Sequence, residues 1–484
     1  MSRVRATLPM ARTLLAAALL ALGLPALAAD LPGDYVPETD PLVVAKLKAW
    51  QDWKFGFMMH WGPYSQWGVV ESWSICSEDV PWCSRPPGIS YVDYKKKYEE
   101  LPRTFNPVKF DPARWATIAR AAGMRYVVFT TKHHDGFSMF DTRQSDYRIT
   151  GPGVPFRSDP RANITRAVFD AFRAQGFSIG AYFSKPDWHH PDYWAPEWAT
   201  PDRNVNYDTR RHPERWQRFV AFVHRQIGEL TSQYGPLDIL WLDGGWVNPR
   251  PHPDALPGSG VVPWPQDIDM PGLAALARRN QPGLIIVDRA VGGQYEDYRT
   301  PEQKVPDERL PYPWETCMTL GDSWSYVPND RYKSARTIVH LLVDVVAKGG
   351  NLLLNVGPDA NGELPPAAVE RMNEVGAWMK VNGAAIYSSR AMPPYREGKL
   401  RFTVLADGTR NAIYLLDEGE SPPPRLRLSG VTVREGAQMR ILGAQERLSW
   451  QRASDDIDVA IPAGARQALT GAYAFTIQIK EPRK

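Results

Sequence analysis

Cysteine is scarce in this chain. Cys76, Cys83 and Cys317 are the only three in 484 residues, which excludes a small fold stapled by a disulfide framework. Cys76 and Cys83 share a Pro- and Trp-rich stretch and could close a loop between them, leaving Cys317 over. A cysteine metal site would need two further ligands at suitable spacing, and the sequence supplies none. Long apolar runs are absent after residue 28, so no membrane span is expected. Net charge is also small. The whole chain carries a formal +3, and losing residues 1–28 with Arg3, Arg5 and Arg12 brings it to zero. A neutral chain has no electrostatic case for nucleic acid or anionic membrane. No Gly-x-Gly-x-x-Gly or P-loop follows the first strand, so nothing points to a nucleotide cofactor.

What is present begins with a leader. Three arginines precede an apolar run from Thr13 to Leu24, and Ala26-Leu-Ala28 supplies small residues for cleavage. The pattern predicts a signal peptide over 1–28 and a secreted, periplasmic or extracellular protein, lysosomal if eukaryotic. The chain is long enough for two or three domains. Aromatic residues are abundant, with 18 Trp; indole faces stack on sugar rings but also fill cores. Proline (44) exceeds glycine (37), which predicts long, stiffened loops.

From about residue 41 to 382, helical and strand-like segments alternate. A helix at Pro41–Trp53 precedes a buried strand ending at His60. A long loop to about Lys109 carries Glu71-Ser-Trp73. Helices with acidic or amide caps at Asp111 and Asn163 lead into strands ending at Lys132 and Ser184. A long amphipathic helix, His212 to Tyr234, precedes Leu237-Asp-Ile-Leu-Trp-Leu-Asp-Gly-Gly-Trp246. Further strands end at Arg289 and Val356. Such alternation predicts parallel strands with crossover helices, and polar residues at nearly every strand's carboxyl end favour a (β/α)8-like barrel over an open sheet. After about Tyr395, short β-prone runs replace the helical period and predict an antiparallel β-sandwich. The expected division is a leader at 1–28, a barrel at 29–392 and a sandwich at 393–484.

The carboxyl-end residues include His60, His133, His134, Tyr182, Trp241, Asp243 and Arg289. Nearby loops add Glu71, Trp73, Glu302, Glu315 and Trp324. Trp241 and Asp243 alternate on one strand and so share a face. Carboxylates, imidazoles, one guanidinium and aromatic walls are what holding a polyhydroxylated ring and cleaving an acetal require.

On these residues the chain resembles the α-L-fucosidases of glycoside hydrolase family 29. The resemblance lies in His60-Trp-Gly with Tyr64-Ser65, Lys132-His-His-Asp-Gly-Phe137, Leu240-Trp-Leu-Asp243-Gly and Asn351-Leu-Leu-Leu-Asn-Val-Gly-Pro358. It implies a barrel followed by a sandwich, a fucosylated glycan as substrate, no metal or cofactor, and retaining hydrolysis through a covalent fucosyl-enzyme. Asp243 would be the nucleophile. His60, His133, His134 and Arg289 would bind the sugar, and Tyr182, Trp241 and Trp324 would wall it and receive the methyl group. Met58 stands where some relatives place an aromatic. Glu71 and Trp73 match the family's Glu-Trp pair, with Ser72 inserted. Glu302 is the first candidate for acid/base, kept protonated by a dry pocket or by Asp243; Glu315 is its rival, with Glu296 and Glu308 behind. Other readings are a hydrolase of a related sugar such as a galactoside, a secreted carbohydrate-binding protein, and a metal hydrolase using His133, His134 and Asp135.

Overall fold

The structure, a computed structural model, describes residues 35–76, 85–198, 203–250 and 262–482. The expected leader and Cys83 lie outside the described residues. No described helix is long and apolar enough to cross a membrane.

A sheet of seven parallel strands organises the larger part of the chain. They are β1 (Phe55–Met59), β2 (Tyr126–Lys132), β3 (Ser178–Ser184), β4 (Ile239–Asp243), β5 (Ile285–Asp288), β6 (Glu315–Thr319) and β7 (Asn351–Asn355). Their order is β5-β4-β3-β2-β1-β7-β6. The helices are α1 (Pro41–Trp53), α2 (Tyr91–Glu99), α3 (Pro112–Ala121), α4 (Ile164–Ala174), α5 (Pro213–Gln233), α6 (Met270–Asn280), α7 (Ala335–Ala347) and α8 (Pro366–Asn382). Asp40, Ser90, Asp111, Asn163, Asp269 and Ser334 start six of them, each side chain accepting a first-turn backbone N–H. Asn163-Ile-Thr165 also has the form of a glycosylation sequon, and here Asn163 is a helix cap.

The strands' alternation separates two cores. Phe57, Val127, Ile179, Leu240, Ile286 and Leu354 face outward into the large core shared with the helices. Met58, Val128, Tyr182, Trp241, Val287, Cys317 and Leu353 face inward, with Trp50 of α1. The inward set is a packed barrel interior.

The eighth stave is irregular. Both sheet edges hydrogen-bond to residues 295–303. On the β5 side, Asp288 N–H donates to Tyr295 O (2.8 Å) and Asp297 N–H to Ile286 O (3.0 Å). On the β6 side, Glu315 N–H donates to Arg299 O (2.8 Å), Cys317 N–H to Pro301 O (3.2 Å) and Gln303 N–H to Cys317 O (2.9 Å). This segment runs antiparallel to β5 and then parallel to β6. It closes the barrel and carries Glu302.

The C-terminal strands are β8 (Arg390–Glu397), β9 (Leu400–Val404), β10 (Arg410–Leu415), β11 (Arg425–Leu428), β12 (Gln438–Ile441), β13 (Arg447–Leu448), β14 (Trp450–Ala453), β15 (Asp456–Ala460) and β16 (Ala474–Lys480). They form an antiparallel six-stranded sheet, β13-β12-β16-β10-β9-β8, and a three-stranded one, β11-β15-β14. A separate apolar core lies between them. β8 crosses the expected 392/393 boundary. Trp378 Nε1 donates to Ala474 O (2.9 Å) and Thr476 Oγ1 to Asn382 Oδ1 (2.9 Å), fastening the sandwich to α8.

Three elements differ from the sequence expectation. The first long loop contains α2, which buries only Tyr94 and Tyr98, four apart, so its apolar stripe is thin. Glu315 lies in β6 rather than in a loop; the strand is short and starts with an acid. Ala463–Ala468 forms a helical turn and a half within the sandwich region.

Gly56 in β1 points inward, where an added Cβ would lie 2.3 Å from the Tyr126 ring. Tyr126 cannot yield freely, because its hydroxyl donates to Glu315 inside the barrel. Gly56→Ala should therefore destabilise the protein by about 1–3 kcal/mol in urea unfolding.

Candidate active site

A cavity opens at the carboxyl ends of the strands. Every sequence candidate except Glu315, Glu296, Glu308 and Asp135 lines it.

Asp243, the last residue of β4, lies on the inner wall. Its Oδ2 accepts from Tyr182 OH (2.6 Å), and its Oδ1 accepts from Arg289 Nη1 (2.9 Å) and Gly244 N–H (2.8 Å). His134 Nε2 stands 3.8 Å from Oδ2. Burial alone would raise the carboxyl pKa. Arg289 and the Tyr182 hydrogen bond outweigh it and hold the group well below the usual range, so Asp243 is ionised. Gly244 makes the exit turn at φ +89°, and a Cβ there would sit 2.3 Å from Pro186. Both facts require glycine.

The second nitrogen of Arg289, Nη2, donates to Glu302 Oε2. One guanidinium therefore bridges two carboxylates, one deep and one at the rim. Glu302 keeps 43% of its side chain exposed, against 14% for Asp243. The expected dry pocket around Glu302 is not what the structure shows; it stands half in solvent, on Arg289.

His133 and His134 follow β2 and share the cavity because the strand has ended. A turn closed by Gly136 N–H to His133 O (3.1 Å) brings both rings inward, with centroids 4.3 Å apart. That turn is braced from below: Asp187 pairs with buried Lys132 (3.1 Å) and accepts the N–H groups of His189 and His190. A Cβ at Gly136 would lie 2.1 Å from Asp187. His60, after β1, stands 5.3 Å from both His133 and Tyr182 and 5.1 Å from Trp324, centroid to centroid. Tyr182 stacks on Trp241 at 5.3 Å. Burial lowers the His60 and His134 pKa values to about 4 and the His133 value well below 6.5, so the three rings are neutral near pH 7.

Glu71 is the third carboxyl of the cavity. Its Oε1 accepts from Ser325 N–H (2.8 Å). Burial, with the charges of Glu302 and Asp243 adding to it against the Ser325 hydrogen bonds, raises its pKa to about 8. Trp73 packs edge-on against His134 (5.4 Å).

The rival glutamates lie elsewhere. Glu315 is fully buried inside the barrel, accepting from Tyr126 OH and Tyr298 OH. Glu296 pairs with Arg299 and accepts the N–H groups of Ala290 and Gly292. Glu308 bonds Tyr395 and Arg396 of β8. Asp135, expected in the metal reading, accepts from Tyr98 OH (2.8 Å) and Phe137 N–H (3.1 Å). Among the described residues, His133, His134 and Asp243 form the group whose ligand atoms lie within 4.8 Å of one another; Arg289 on Asp243 opposes a cation there. Cys76 is disulfide-bonded and Cys317 is free.

Sequence reasoning did not place Trp246, Cys317 or Asn355. Trp246 lines the cavity and contacts His134 and Trp73 at 5.1 and 5.8 Å. It stands directly after Gly244-Gly245, the signal that could have found it. Cys317 lines the cavity from the inner face of β6. Asn355 ends β7 and bonds His60; the same carboxyl-end rule that selected Asp243 would have selected it.

The family model described as alpha-L-fucosidase matches residues 25–384. Human tissue alpha-L-fucosidase is 29% identical over 471 residues, covering 93% of each chain. The solved structure of alpha-L-fucosidase isoenzyme 1 from Paenibacillus thiaminolyticus is 31% identical, with a TM-score of 0.72, over 91% of this chain and 100% of that one. A Bacteroides thetaiotaomicron alpha-L-fucosidase, solved as a trapped covalent intermediate, shares the fold at 21% identity, with a TM-score of 0.70, over 93% of this chain and 98% of that one. The chain belongs to the α-L-fucosidase family, glycoside hydrolase family 29.

Proposed function

We propose that this enzyme removes terminal α-L-fucosyl residues from fucosylated glycans by double displacement, with Asp243 as nucleophile and Glu302 as acid/base. The observation that carries the reading is the pair of carboxylates on Arg289, one buried and ionised, the other at the rim. Sharing one guanidinium favours the closer carboxyl spacing of retaining enzymes, about 5–5.5 Å, over the about 6.5–9.5 Å of inverting ones. As substrate enters, Glu302 leaves Arg289, takes a proton from solvent at the rim and gives it to the glycosidic oxygen, while Asp243 attacks the anomeric carbon and the aglycone departs as its alcohol. Water, deprotonated by Glu302, then releases fucose. Met58, Trp241 and Trp324 supply apolar surface to a 6-deoxy sugar's methyl group, and the neutral imidazoles bond its hydroxyls. The division near residue 392 into a catalytic barrel and a sandwich, and export directed by residues 1–28, belong to the same reading. The disulfide at Cys76 supports an oxidising destination.

Glu71 supports a second assignment of the acid, because it is protonated near neutral pH. Its burial beside Ser325, away from the rim where an aglycone leaves, favours Glu302. The variants separate the two. Asp243→Asn abolishes turnover of an aryl α-L-fucoside. Glu302→Ala slows poor leaving groups by about 10²–10⁴-fold, spares activated ones, and is partly rescued by azide. If Glu71→Gln behaves that way instead and Glu302→Ala hydrolyses both substrates normally, the acid is Glu71.

The raised Glu71 pKa also predicts a pH effect on stability. Between 4.5 and 8 the folded state binds a proton that the unfolded state has lost, so stability falls as pH rises through this window. Glu71→Gln removes that loss. Urea unfolding should show the variant gaining on the wild type with rising pH, at up to about 1.4 kcal/mol per pH unit.

A further inference from the structure

Each of the three cavity imidazoles commits its Nδ1 to the protein. Asn355 Oδ1 lies 2.8 Å from that of His60, Ser72 Oγ 2.5 Å from that of His133, and Ser184 Oγ 2.6 Å from that of His134. A neutral imidazole has one N–H and one lone pair, so the partner at Nδ1 decides what Nε2 offers to the cavity.

For His60 and His134 backbone groups settle the direction, since an N–H only donates and a carbonyl only accepts. Asn355 Oδ1 also accepts the backbone N–H of His60 (3.1 Å), while its Nδ2 donates to Trp324 O (2.6 Å). The amide oxygen therefore faces His60, and His60 Nδ1 must carry the proton. Ser184 spends its hydroxyl proton on Pro186 O (2.9 Å), so its oxygen accepts from His134 Nδ1. Ser72 is wired the other way. Its Oγ accepts the backbone N–H of Asp135 (3.0 Å), and among the described residues its proton has no other bonded acceptor than His133 Nδ1, so it donates to the ring. Nε2 is then a lone pair on His60 and His134 and an N–H on His133.

We propose that Ser72, the residue inserted between Glu71 and Trp73, is a positioning residue that makes His133 the N–H donor in a cup whose other two imidazoles accept. The proposal rests on reading the cavity as the sugar site. It makes the cup selective for a pattern: two ring hydroxyls donate, and one accepts from His133. A fluorine in place of a hydroxyl cannot donate, so it is tolerated opposite His133 and rejected opposite His60 or His134.

The test uses the full-length enzyme with isotopically labelled histidine nitrogens. Long-range nitrogen–proton spectra of the unliganded protein distinguish Nδ1–H from Nε2–H rings, with His60→Gln, His133→Gln and His134→Gln giving the assignments. The expected result is an Nε2–H ring at His133 and Nδ1–H rings at His60 and His134. Ser72→Ala should lose the Nε2–H signature and lower kcat/KM for an aryl α-L-fucoside by about tenfold or more. Ser72→Thr, which keeps the hydroxyl, should restore both. An Nδ1–H ring at His133 in the wild type overturns the proposal. So does a folded Ser72→Ala protein whose His133 spectrum is unchanged, whatever its activity. If Ser72→Ala fails to fold, the wild-type spectrum and Ser72→Thr still decide. The spectra are taken without substrate, so they stand even if Asp243→Asn turned over normally, a result that would sink the catalytic reading alone.

Discussion

One guanidinium between two carboxylates organises this site. Arg289 holds Asp243 ionised despite burial and places Glu302 at the rim of the same cavity. A buried carboxylate without such a partner would take up a proton rather than bear its desolvation. Tyr182 and Gly244 add two further donors to Asp243. In the proposed reaction the attacking charge is thus prepared before any substrate arrives.

The barrel's irregular eighth stave is what delivers the second carboxylate. A regular strand between β5 and β6 would end in a turn of its own choosing. Instead, residues 295–303 cross from β5 to β6 and are hydrogen-bonded to both. Glu302 sits between two backbone bonds to Cys317, so a loop position acquires the definition of a strand position. Inside the barrel, Glu315 is occupied with Tyr126 and Tyr298.

The neutral histidines complement the two charges. Burial strips their protons, and the partner at each Nδ1 dictates which nitrogen keeps its hydrogen. Ser72 connects the loop after β1 to the turn after β2 through one hydroxyl. Residues far apart in the chain are in this way made into one polar surface whose donors and acceptors are assigned in advance.

The sequence alone determined the alternation of helices and strands, the change to short strands near residue 390, and the residues standing at each strand's carboxyl end. These are local properties: periodicity, capping, and glycine directly after an acid. They sufficed for the fold class and for the candidates from His60 to Trp324. Tertiary structure decided the rest. It set apart Glu302 from Glu315, because whether a glutamate faces cavity or core depends on which strand its segment joins. It turned His133 and His134 to one side, because a strand's ending is fixed by its neighbours' register. It raised the Glu71 pKa and lowered that of Asp243, because burial and opposing charges arise from residues brought together across the chain, which no local pattern records.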